Sequence, residues 1–422
     1  MSEIDVHRTI ETVWRLESTA LVAALVRITR DVGLAEDLAQ DALVAALAQW
    51  PGSGIPATPG AWLMAVAKRR AIDGFRRRDR RDALYAQIAE RVGVVAVDIA
   101  DAVDHVDDDV LRLMFVCCHP ALGSDAQVTL TLRLMAGLTT AEIARSFLTS
   151  EPTVAARITR AKKTLARVEA LTEEPTGDAR AERLAGVMRV VYLLFNEGYS
   201  ATGGGDWMRV DLCAEAVRLG RVLAGLVPTE PEVHGLVALM ELQHARAAAR
   251  TEADGTPVLL LEQDRSRWDG LLIRRGLAAL DRATSLRRPV GPYVLQAEIA
   301  ACHARARSAD ETSWARIAEV YAVLAGVTGS AVVELNRAVA VSFADGPEAA
   351  LELLDGSDLS SLEGYHLLPS VRGDLLARVG RTGAARSELE RAASLTSNDR
   401  ERIMLLGKAA GLERTEGSDD DG

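Results

Sequence analysis

The amino-acid sequence predicts an all-α protein of two or three domains. Its 422 residues are rich in Ala, Leu, Val and Arg, and only 4% of them are aromatic. Most of these abundant residues favour helices. The chain is too long for one ordinary compact domain, and clusters of Pro and Gly separate the apolar, helix-spaced segments. These observations predict several helical domains in succession.

The sequence carries no signal for a membrane or secreted location. No apolar run reaches the roughly 20 residues that a membrane-spanning helix needs. The N-terminal stretch MSEIDVHRTIETVW lacks the basic and apolar regions of a signal peptide. Four sparse cysteines lie in apolar helical surroundings, as in proteins of a reducing compartment: Cys117, Cys118, Cys213 and Cys302. We therefore expect a cytoplasmic protein.

Composition divides the chain into five successive segments. Residues 8–82 are predicted to be helical, with a break at WPGSGIPATPG (Trp50 to Gly60), where Pro and Gly cluster. An acidic linker follows over 83–109 and ends in DIADAVDHVDDD. A second helical unit is predicted over 110–171, and a series of helical pairs over 180–412. The acidic tail, 413–422, is predicted to be disordered.

Positive charge is concentrated in AKRRAIDGFRRRDRR (Ala67 to Arg81), although the chain has a net charge of -11. If this stretch is helical, one side of the helix is apolar and the opposite side is rich in arginine. The apolar side contains Met64, Ala71, Ile72 and Phe75. The arginine side contains Arg69, Arg76, Arg77 and Arg80. A guanidinium group donates two parallel hydrogen bonds to phosphate, so the arginine side suits an anionic partner. A solvated charged face is the alternative interpretation.

The stretch LTTAEIARSFLTSEPTVAARITRAKKTLAR (Leu138 to Arg167) predicts a helix-turn-helix. Thr139 and Glu142 form a capping box at its first helix, and Ser150 can cap the second. The second helix has a buried stripe of Val154, Ile158, Ala161 and Leu165. Its other side, which would enter the major groove, carries Thr153, Ala156, Arg160, Lys163 and Arg167, with Arg157 beside them. A structural helical hairpin is the alternative.

The C-terminal part contains weak repeats with the spacing of tetratricopeptide (TPR) units, which are pairs of packed helices of about 34 residues. One unit is marked by Gly373, Leu376, Gly380, Ala385, Leu389 and Ala392. Most of the pattern occurs once before, at Ala338, Val341, Asp345, Ala350 and Leu354. The pattern favours a helical solenoid, and a set of unrelated Ala-rich antiparallel helices is the alternative.

Three motifs, in this order, resemble the sigma-70 family of bacterial transcription initiation factors, specifically its small extracytoplasmic-function class. DVGLAEDLAQDALVAAL (Asp31 to Leu47) resembles the core-binding helix of that family's region 2. WPGSGIPATPGAWLMAVAKRRAIDGFRRR (Trp50 to Arg78) resembles the segment that recognises and melts the -10 promoter element. Leu138 to Arg167 resembles region 4, which reads the -35 element.

Three further stretches resemble the C-terminal extension of one subgroup of these factors, an extension that is TPR-like and thought to be regulatory: FNEGYSATGG, DLCAEAVRL and LLLEQDRSRWD. The resemblance therefore implies two small helical sigma domains joined by the acidic linker and followed by a TPR-like helical domain. The first sigma domain is the region 2 bundle of residues 8–82. The second is the region 4 helix-turn-helix domain of residues 110–171.

The resemblance also implies three sets of binding residues. The clamp helices of the polymerase beta-prime subunit would contact Asp31, Ala35, Glu36, Asp37, Leu38, Gln40 and Asp41. The -10 element would be bound by Trp50, Pro59, Trp62, Lys68, Arg69, Arg70, Asp73, Arg76 and Arg77, with the loop from Trp50 to Pro59 holding a flipped base. The -35 element would be bound by Thr153, Ala156, Arg157, Arg160, Lys163 and Arg167. Position 69 is Arg where many members have Asn.

A sigma factor is not an enzyme, and the resemblance implies no cofactor and no membrane. Its implied partners are core RNA polymerase (the beta-prime clamp helices and the beta flap), double-stranded promoter DNA and the melted -10 strand. A protein regulator of the TPR-like domain is a further candidate partner. Two other classes stay open from the residues alone. One is a helix-turn-helix regulator with a TPR-like sensor that acts without core enzyme, and the other is a TPR scaffold with a degenerate N-terminal half.

Other arrangements do not predict a catalytic or metal site. Cys117, Cys118 and His119 lack the two-residue spacing of a zinc knuckle and have no second pair nearby. The run Gly203 to Gly205 lacks the strand and the Lys-Ser/Thr of a phosphate-binding loop. LLLEQDRSRWD leaves two interpretations open: a functional surface, or an ion-pair network of Asp264, Arg265, Arg267 and Asp269.

Overall fold

The structure, a computed structural model, describes residues 3–79, 106–147, 149–167, 175–199, 210–252, 258–396 and 398–419. The elements within these ranges are α-helices and short 3-10 helices, without a β-strand, which confirms the all-α prediction. The chain divides into two compact units, Met1–Pro228 and Thr229–Gly422. No helix in the described ranges is long and apolar enough to span a bilayer.

The first unit has nine α-helices in the described part of the chain: α1 (Glu3–Thr29), α2 (Val32–Ser53), α3 (Pro59–Asp79), α4 (Val106–Cys117), α5 (Ser124–Leu134), α6 (Thr140–Ser146), α7 (Glu151–Arg167), α8 (Gly177–Tyr199) and α9 (Val210–Leu226). Helices α1, α2 and α3 pack together as one bundle, and α4, α5, α6 and α7 pack as another. The two bundles also contact each other, because α1 packs on α4 and α2 reaches α7.

The break between α2 and α3 is shorter than the sequence predicted. Helix α2 continues to Ser53 with Pro51 in its last turn, and α3 begins at Pro59, so only residues 54–58 lie outside the two helices. Gly54 ends α2 with a φ of 81°, a conformation that glycine adopts at little cost. Trp50 is therefore a helical residue.

Most of the predicted acidic linker (83–109) lies outside the described residues. Its last four residues form the first turn of α4, which carries Asp107, Asp108 and Asp109. Acidic side chains in this position interact favourably with the positive end of the helix dipole.

Helices α8 and α9, the first two of the predicted extension, belong to the first unit and pack on α4. Arg183 donates a hydrogen bond to the Phe115 carbonyl oxygen at 3.5 Å. Arg218 donates one to the Met135 carbonyl oxygen at 2.8 Å. The division between the two compact units, after Pro228, thus falls inside the predicted extension of residues 180–412.

The second unit has nine α-helices among its described residues: α10 (Pro231–His244), α11 (Gly270–Ser285), α12 (Pro292–Arg305), α13 (Trp314–Thr328), α14 (Ala331–Ala344), α15 (Pro347–Gly356), α16 (Leu367–Arg378), α17 (Thr382–Leu395) and α18 (Asp399–Asp419). Neighbouring helices pack in succession along the chain, and α10 packs on both α11 and α12. Helix α18 continues into the tail that was predicted to be disordered from residue 413, since helix-favouring residues such as Glu413 and Arg414 extend it.

The predicted TPR-like spacing coincides with a packed helix pair. Gly373 of α16 lies against Leu389 of α17, and a Cβ atom at position 373 would lie only 2.9 Å from Leu389 Cγ. Ala385 and Ala392 are completely buried. Gly380 lies in the turn between the two helices with a φ of 77°. The small residues thus lie where these two helices approach each other, as the repeat pattern requires.

The LLLEQDRSRWD motif contains an arginine that binds the end of a helix. Arg265 donates to the carbonyl oxygens of His303 at 2.8 Å and Ala306 at 2.9 Å, and to Thr312 Oγ1 at 2.9 Å. Its guanidinium carbon lies 5.2 Å from the ring centroid of Trp268, a cation–π distance. This arginine therefore holds the C-terminal end of α12 and the loop after it.

The acidic residues of the same motif are helix caps. Asp264 accepts a hydrogen bond from the Ser266 N–H at 2.9 Å, and Asp269 accepts from the Leu271 N–H at 2.7 Å. Because the arginine binds carbonyl oxygens and the aspartates bind backbone N–H groups, the motif is a set of side-chain-to-backbone contacts. Of the two interpretations left open by the sequence, the network of ion pairs is therefore not what holds the motif together in the described structure.

Candidate nucleic-acid and polymerase interface

Both predicted caps of the helix-turn-helix are present. Thr139 Oγ1 accepts a hydrogen bond from the Glu142 N–H at 3.1 Å, and the Glu142 carboxylate accepts from the Thr139 N–H at 2.8 Å. The pKa of Glu142 lies below its usual value, mainly because its carboxylate accepts the hydrogen bond from the Thr139 backbone N–H. Ser150 Oγ accepts from the Thr153 N–H at 3.3 Å at the start of α7. These caps fix where α6 and α7 begin.

Helix α7 has the two faces that its sequence predicts. The predicted stripe is buried, with exposed fractions of 8% or less for Val154, Ile158, Ala161 and Leu165. The residues predicted for -35 recognition point away from this stripe: Thr153, Ala156, Arg160, Lys163 and Arg167 are exposed, and Arg157 is half-buried. A basic face is therefore open to solvent along a helix that is anchored by its other side.

Arg157 is the one residue of the predicted -35 set with an ion pair in the described structure. Its guanidinium group lies 3.3 Å from the Asp125 carboxylate, and it donates to Thr129 Oγ1 at 3.4 Å. With Arg160 it borders an open cleft of about 500 Å³ next to the first turn of α5. These contacts orient Arg157 towards α5, whereas the other basic residues of the set face solvent.

The predicted -10 residues of α3 differ in their surroundings. Arg69 and Asp73 are exposed, and Arg70 pairs with Asp41 at 2.8 Å. Lys68 is half-buried, and burial, with a smaller effect of the Arg27 charge, lowers its pKa. Arg76 and Arg77 belong to α3, but their side chains lie outside the described part of the structure, as do Arg80 and Arg81 altogether.

The predicted base-binding loop is framed by two tryptophans. Trp50 is 1% exposed, and its ring meets that of Trp62 edge-on, with 5.2 Å between the ring centroids. Trp62 and Pro59 are half-buried. In this structure Trp50 is thus a core residue that joins the end of α2 to α3, while Pro59 and Trp62 border the loop surface.

The residues predicted to bind polymerase fall into two groups on α2. Asp31, Asp37 and Asp41 are exposed and Gln40 is half-buried. Ala35, Glu36 and Leu38 are buried, with exposed fractions of 0%, 6% and 6%. Asp31 also caps α2 by accepting from the Leu34 N–H at 3.0 Å. An acidic edge of α2 therefore faces solvent, whereas its other predicted contact residues are covered.

Glu36 is covered by two basic residues that follow it by about a hundred positions. Arg133 Nε of α5 lies 2.6 Å from one carboxylate oxygen, and Lys162 Nζ of α7 lies 2.5 Å from the other. Burial raises the pKa of Glu36, but the Lys162 and Arg133 contacts outweigh it, so that the pKa lies below its usual value. This carboxylate is charged at neutral pH and links α2 to the helix-turn-helix bundle.

Two further contacts join the same bundles. Arg27 of α1 pairs with Asp109 of α4 at 2.9 Å, and Asp109 is only 4% exposed. Thr19 Oγ1 of α1 donates to the Met135 carbonyl oxygen at 3.1 Å, which also accepts from Arg218 of α9. Met135 therefore lies where α1, the end of α5 and α9 meet.

Sequence analysis did not identify Arg133, Lys162, Arg27 or Arg218 as contact residues. Each acts through a partner far away in the sequence, so no local spacing reveals the contact. Among these four residues, Lys162 is the one whose position in the sequence could have indicated a contact with another helix. It lies between the buried stripe and the basic face of α7 and therefore points towards neither. A charged residue at such a border position is free to reach a neighbouring helix.

The cysteines have the chemistry of core residues. All four are reduced and buried. Burial raises the pKa of the Cys118 thiol to about 12 and that of Cys117 well above its usual value, so neither is a thiolate at neutral pH. His119 Nδ1 accepts a hydrogen bond from the Ala121 N–H at 3.1 Å. In the described residues no three His, Cys, Asp or Glu side chains are grouped to bind a metal ion.

An exposed basic helix held by a capped helix-turn-helix, beside a helical bundle with its own arginine-rich helix, defines a DNA-binding protein of transcription. Family models agree with this class. Residues 15–81 match Sigma-70 region 2 and residues 112–165 match Sigma-70, region 4. Residues 183–284 match a family of unknown function (DUF6596).

One curated relative matches most of the chain, and others match about a third of it. The uncharacterised protein R00370 of Rhizobium meliloti (strain 1021) is 45% identical over 387 residues, which is 91% of each chain. The ECF RNA polymerase sigma factor SigK of Mycobacterium sp. (strain KMS) is 30% identical over 140 residues, 31% of this chain and 68% of that protein. No solved structure matches the chain.

A third relative is similar over a comparable share of the chain. The probable ECF RNA polymerase sigma factor SigI of Mycobacterium tuberculosis (strain ATCC 25618 / H37Rv) is 32% identical over 142 residues, 33% of this chain and 48% of that protein. With both sigma regions matched in order, the chain belongs to the sigma-70 family, in its extracytoplasmic-function (ECF) class.

Proposed function

We propose that this sigma factor binds core RNA polymerase through α2, recognises the -10 element through α3 and the loop before it, and reads the -35 element through α7. The second unit, together with α8 and α9, modulates these steps. No catalytic role is assigned to the chain, and its place of action is the cytoplasm, where polymerase and promoters are.

The observation that carries this proposal is the division of α7 into a buried stripe and a basic exposed face. Arg160 and Lys163 lie on the exposed face, and Ile158 and Leu165 anchor the helix from behind. Lys and Arg side chains on such a face can reach base edges or phosphates in the major groove. The exposed aspartates of α2 supply the second requirement, an accessible surface for polymerase.

The polymerase-binding surface separates this proposal from an ordinary helix-turn-helix regulator. A regulator would need no partner for site-specific binding, whereas a sigma factor recognises promoters as part of the polymerase. The exposed part of that surface includes three carboxylates, Asp31 at the N-cap of α2 and Asp37 and Asp41 within it. We propose that basic groups of the beta-prime clamp helices pair with them, while the beta flap docks on the helix-turn-helix bundle.

Run-off transcription tests the proposal. Full-length protein is added to core RNA polymerase with a pool of genomic promoters, and transcripts that start at specific sites are expected. Replacing Arg160→Ala and Lys163→Ala together should weaken use of promoters with a -35 element by about 10- to 100-fold, because a lost base contact costs about 1–3 kcal/mol. The matched control is Arg386→Ala with Arg391→Ala, which removes two exposed charges from α17.

Three outcomes of the run-off transcription experiment are informative. Specific transcripts that depend on Arg160 and Lys163, and not on the α17 control, support the sigma-factor proposal. Specific transcripts with an unchanged -35 preference would overturn the assignment of α7. DNA binding without any polymerase-dependent transcript would identify an ordinary helix-turn-helix regulator instead.

A further inference from the structure

Helix α11 and the turn after it form a basic surface in an otherwise acidic unit. Residues 270–289 contain one acidic residue, Asp281, and five arginines: Arg274, Arg275, Arg282, Arg287 and Arg288. All five arginines are exposed. The rest of the second unit contains more acidic than basic residues. We name these five arginines the α11 arginine face.

Helix α11 is anchored by the side opposite to its arginines. Gly276 and Leu280 are buried, and a Cβ atom at position 276 would lie only 2.7 Å from Leu242 Cγ of α10. On the outer side, the exposed small residues Ala278 and Ser285 lie between the arginines. The α11 arginine face is therefore fixed from behind and open in front, the same division that α7 has.

The charge of the α11 arginine face is not neutralised within the described residues. Exposed arginines on other helices of the second unit are paired with carboxylates, and Arg386 of α17 lies 2.8 Å from Glu390. By contrast, Arg274, Arg275 and Arg287 have no ion pair in the described part of the chain. These three guanidinium groups are available to an anionic partner.

Helix stability does not account for all of these arginines. Arg282 lies in the last turn of α11, where a cation interacts favourably with the negative end of the helix dipole. Arg274 and Arg275 lie in the second turn, where the dipole gives a cation no such advantage. The first two arginines of the face therefore need another explanation.

The dimensions of the α11 arginine face suit a polyanion. Arg274 and Arg282 are about 12 Å apart along the helix axis. Duplex DNA carries one negative charge per about 1.7 Å of its own axis, so a face of this length meets several phosphates at once. Each guanidinium group can donate two parallel hydrogen bonds to one phosphate.

The other side chains of the face favour duplex DNA over other partners. Proteins hold single-stranded nucleic acid by stacking its bases on aromatic side chains, and residues 270–289 contain no aromatic residue. A protein interface has an apolar centre that is shielded from water, whereas the small residue Ala278 lies at the centre of this face. A phosphate backbone needs neither feature.

We propose that the α11 arginine face binds the phosphate backbone of double-stranded DNA independently of base sequence. This contact goes beyond the proposed function, which assigns DNA to α3 and α7 alone. It gives the second unit a direct part in promoter binding: it adds affinity for duplex DNA and leaves the choice of promoter to the sigma regions.

Fluorescence anisotropy with the full-length protein tests the contact without polymerase. The probe is a labelled DNA duplex of arbitrary sequence, and its affinity is measured over a range of salt concentrations. The variant combines Arg274→Ala, Arg275→Ala and Arg287→Ala. We expect the slope of log affinity against log salt to become less steep by about 2–3, because each phosphate contact contributes about 0.9.

The matched control removes three exposed arginines that are paired with carboxylates: Arg316→Ala, Arg386→Ala and Arg391→Ala. It should leave the slope unchanged, and circular dichroism verifies that each variant keeps its helix content. Equal slopes for the wild type and the α11 variant would overturn the proposal. So would a wild type that does not bind the duplex at the lowest salt concentration.

Photo-crosslinking in the complex with core RNA polymerase and promoter DNA identifies the partner of the face. A photoreactive group is attached at Ala278→Cys and, as the control, at Ser387→Cys on α17, both exposed positions. The four native cysteines are buried and should react slowly. Crosslinks to duplex DNA are expected from position 278 and not from position 387.

A crosslink from position 278 to a polymerase subunit, without one to DNA, would overturn the DNA contact and identify an acidic protein surface as the partner. If polymerase does not bind the chain, the proposed function fails. The anisotropy comparison still decides whether the α11 arginine face binds DNA, because it contains no polymerase.

Discussion

Buried charges in this protein are stabilised residue by residue, each through different partners. Glu36 has two cations. Asp109 has one, Arg27. Glu232, which is half-buried, accepts from the N–H groups of Gly291 and Tyr293 at 2.8 Å each and so caps α12 from another helix. A charge removed from water needs such partners, since an unpaired one costs several kcal/mol. Substitution of these residues is therefore expected to lower the stability of the fold.

The pKa of Glu36 predicts a pH-dependent stability of the first unit. Its folded pKa lies below the ordinary value of 4.5, so the stabilisation is complete above about pH 4.5 and is lost as the pH falls through the folded pKa. The groups that face it are Arg133 and Lys162, with the neutral Cys117 thiol nearby. We expect Glu36→Gln to lower the free energy of unfolding by about 1–3 kcal/mol at pH 7.

The difference between wild type and Glu36→Gln should narrow as the pH falls towards about 3. Urea titrations followed by tryptophan fluorescence measure it, and the second unit, identical in both proteins, serves as the internal reference. A difference that stays constant from pH 7 to pH 3 would contradict the assigned pKa direction.

At the scale of single elements, local sequence determines the ends and the faces of helices. The capping box of α6 and the four-residue stripe of α7 follow from spacing alone, because a helical period and a side-chain cap act within one or two turns. The same logic underlies the contact between α16 and α17 at Gly373. These features are predictable from the order of residues along the chain, and the helices have them.

Contacts between elements are not predictable in the same way. Glu36 was assigned to a surface by resemblance, but it is buried because Arg133 and Lys162 come close only in three dimensions. Trp50 was assigned to a loop, but α2 continues past it despite Pro51. Patterns in a single sequence predict where a helix begins and ends and which of its faces is buried. They do not predict which other helix packs against that face.

Gly373 gives a test of helix packing in the second unit. Gly373→Ala should destabilise this unit by about 1–3 kcal/mol through overpacking, because the new Cβ would lie 2.9 Å from Leu389 Cγ and 3.2 Å from the Ala385 carbonyl oxygen. Leu389 is 1% exposed, so that neighbouring side chains surround it and leave little room for it to move aside. The control is Gly407→Ala in α18, where nothing lies within 4 Å of the added Cβ. It should stabilise by up to about 1 kcal/mol through helix propensity.

Thermal or urea unfolding of the two glycine variants measures the change in the free energy of unfolding. We expect this change to have opposite signs: a loss of stability for Gly373→Ala and a gain for Gly407→Ala. Stabilisation by both alanines would mean that α16 and α17 are farther apart than the structure shows.

At the scale of the whole molecule, the two compact units do not coincide with the border between sigma regions and extension. Helices α8 and α9 lie in the first unit, although most of α8 and all of α9 fall within the match to DUF6596. They cover the α4 surface near Phe115 and Cys118, which are 6% and 4% exposed. Part of the extension thus packs as a structural component of the first unit, and the other part, from Thr229 onwards, forms a compact unit of its own.

This arrangement predicts different behaviour for two truncated chains. Residues 1–228 should fold and unfold cooperatively, because the first unit is complete. Residues 1–175 lack α8 and α9 and should bind a hydrophobic dye and melt at a temperature lower by several degrees, since about 1 kcal/mol shifts the midpoint by 2–4 °C in a domain of this size. Scanning calorimetry and dye binding measure both. Equal melting temperatures for the two chains would show that the sigma module does not need α8 and α9.

If 1–228 alone is stable, a change in run-off transcription relative to the full chain reports regulation by the second unit. A loss of transcription seen only with 1–175 reports damage to the sigma module itself.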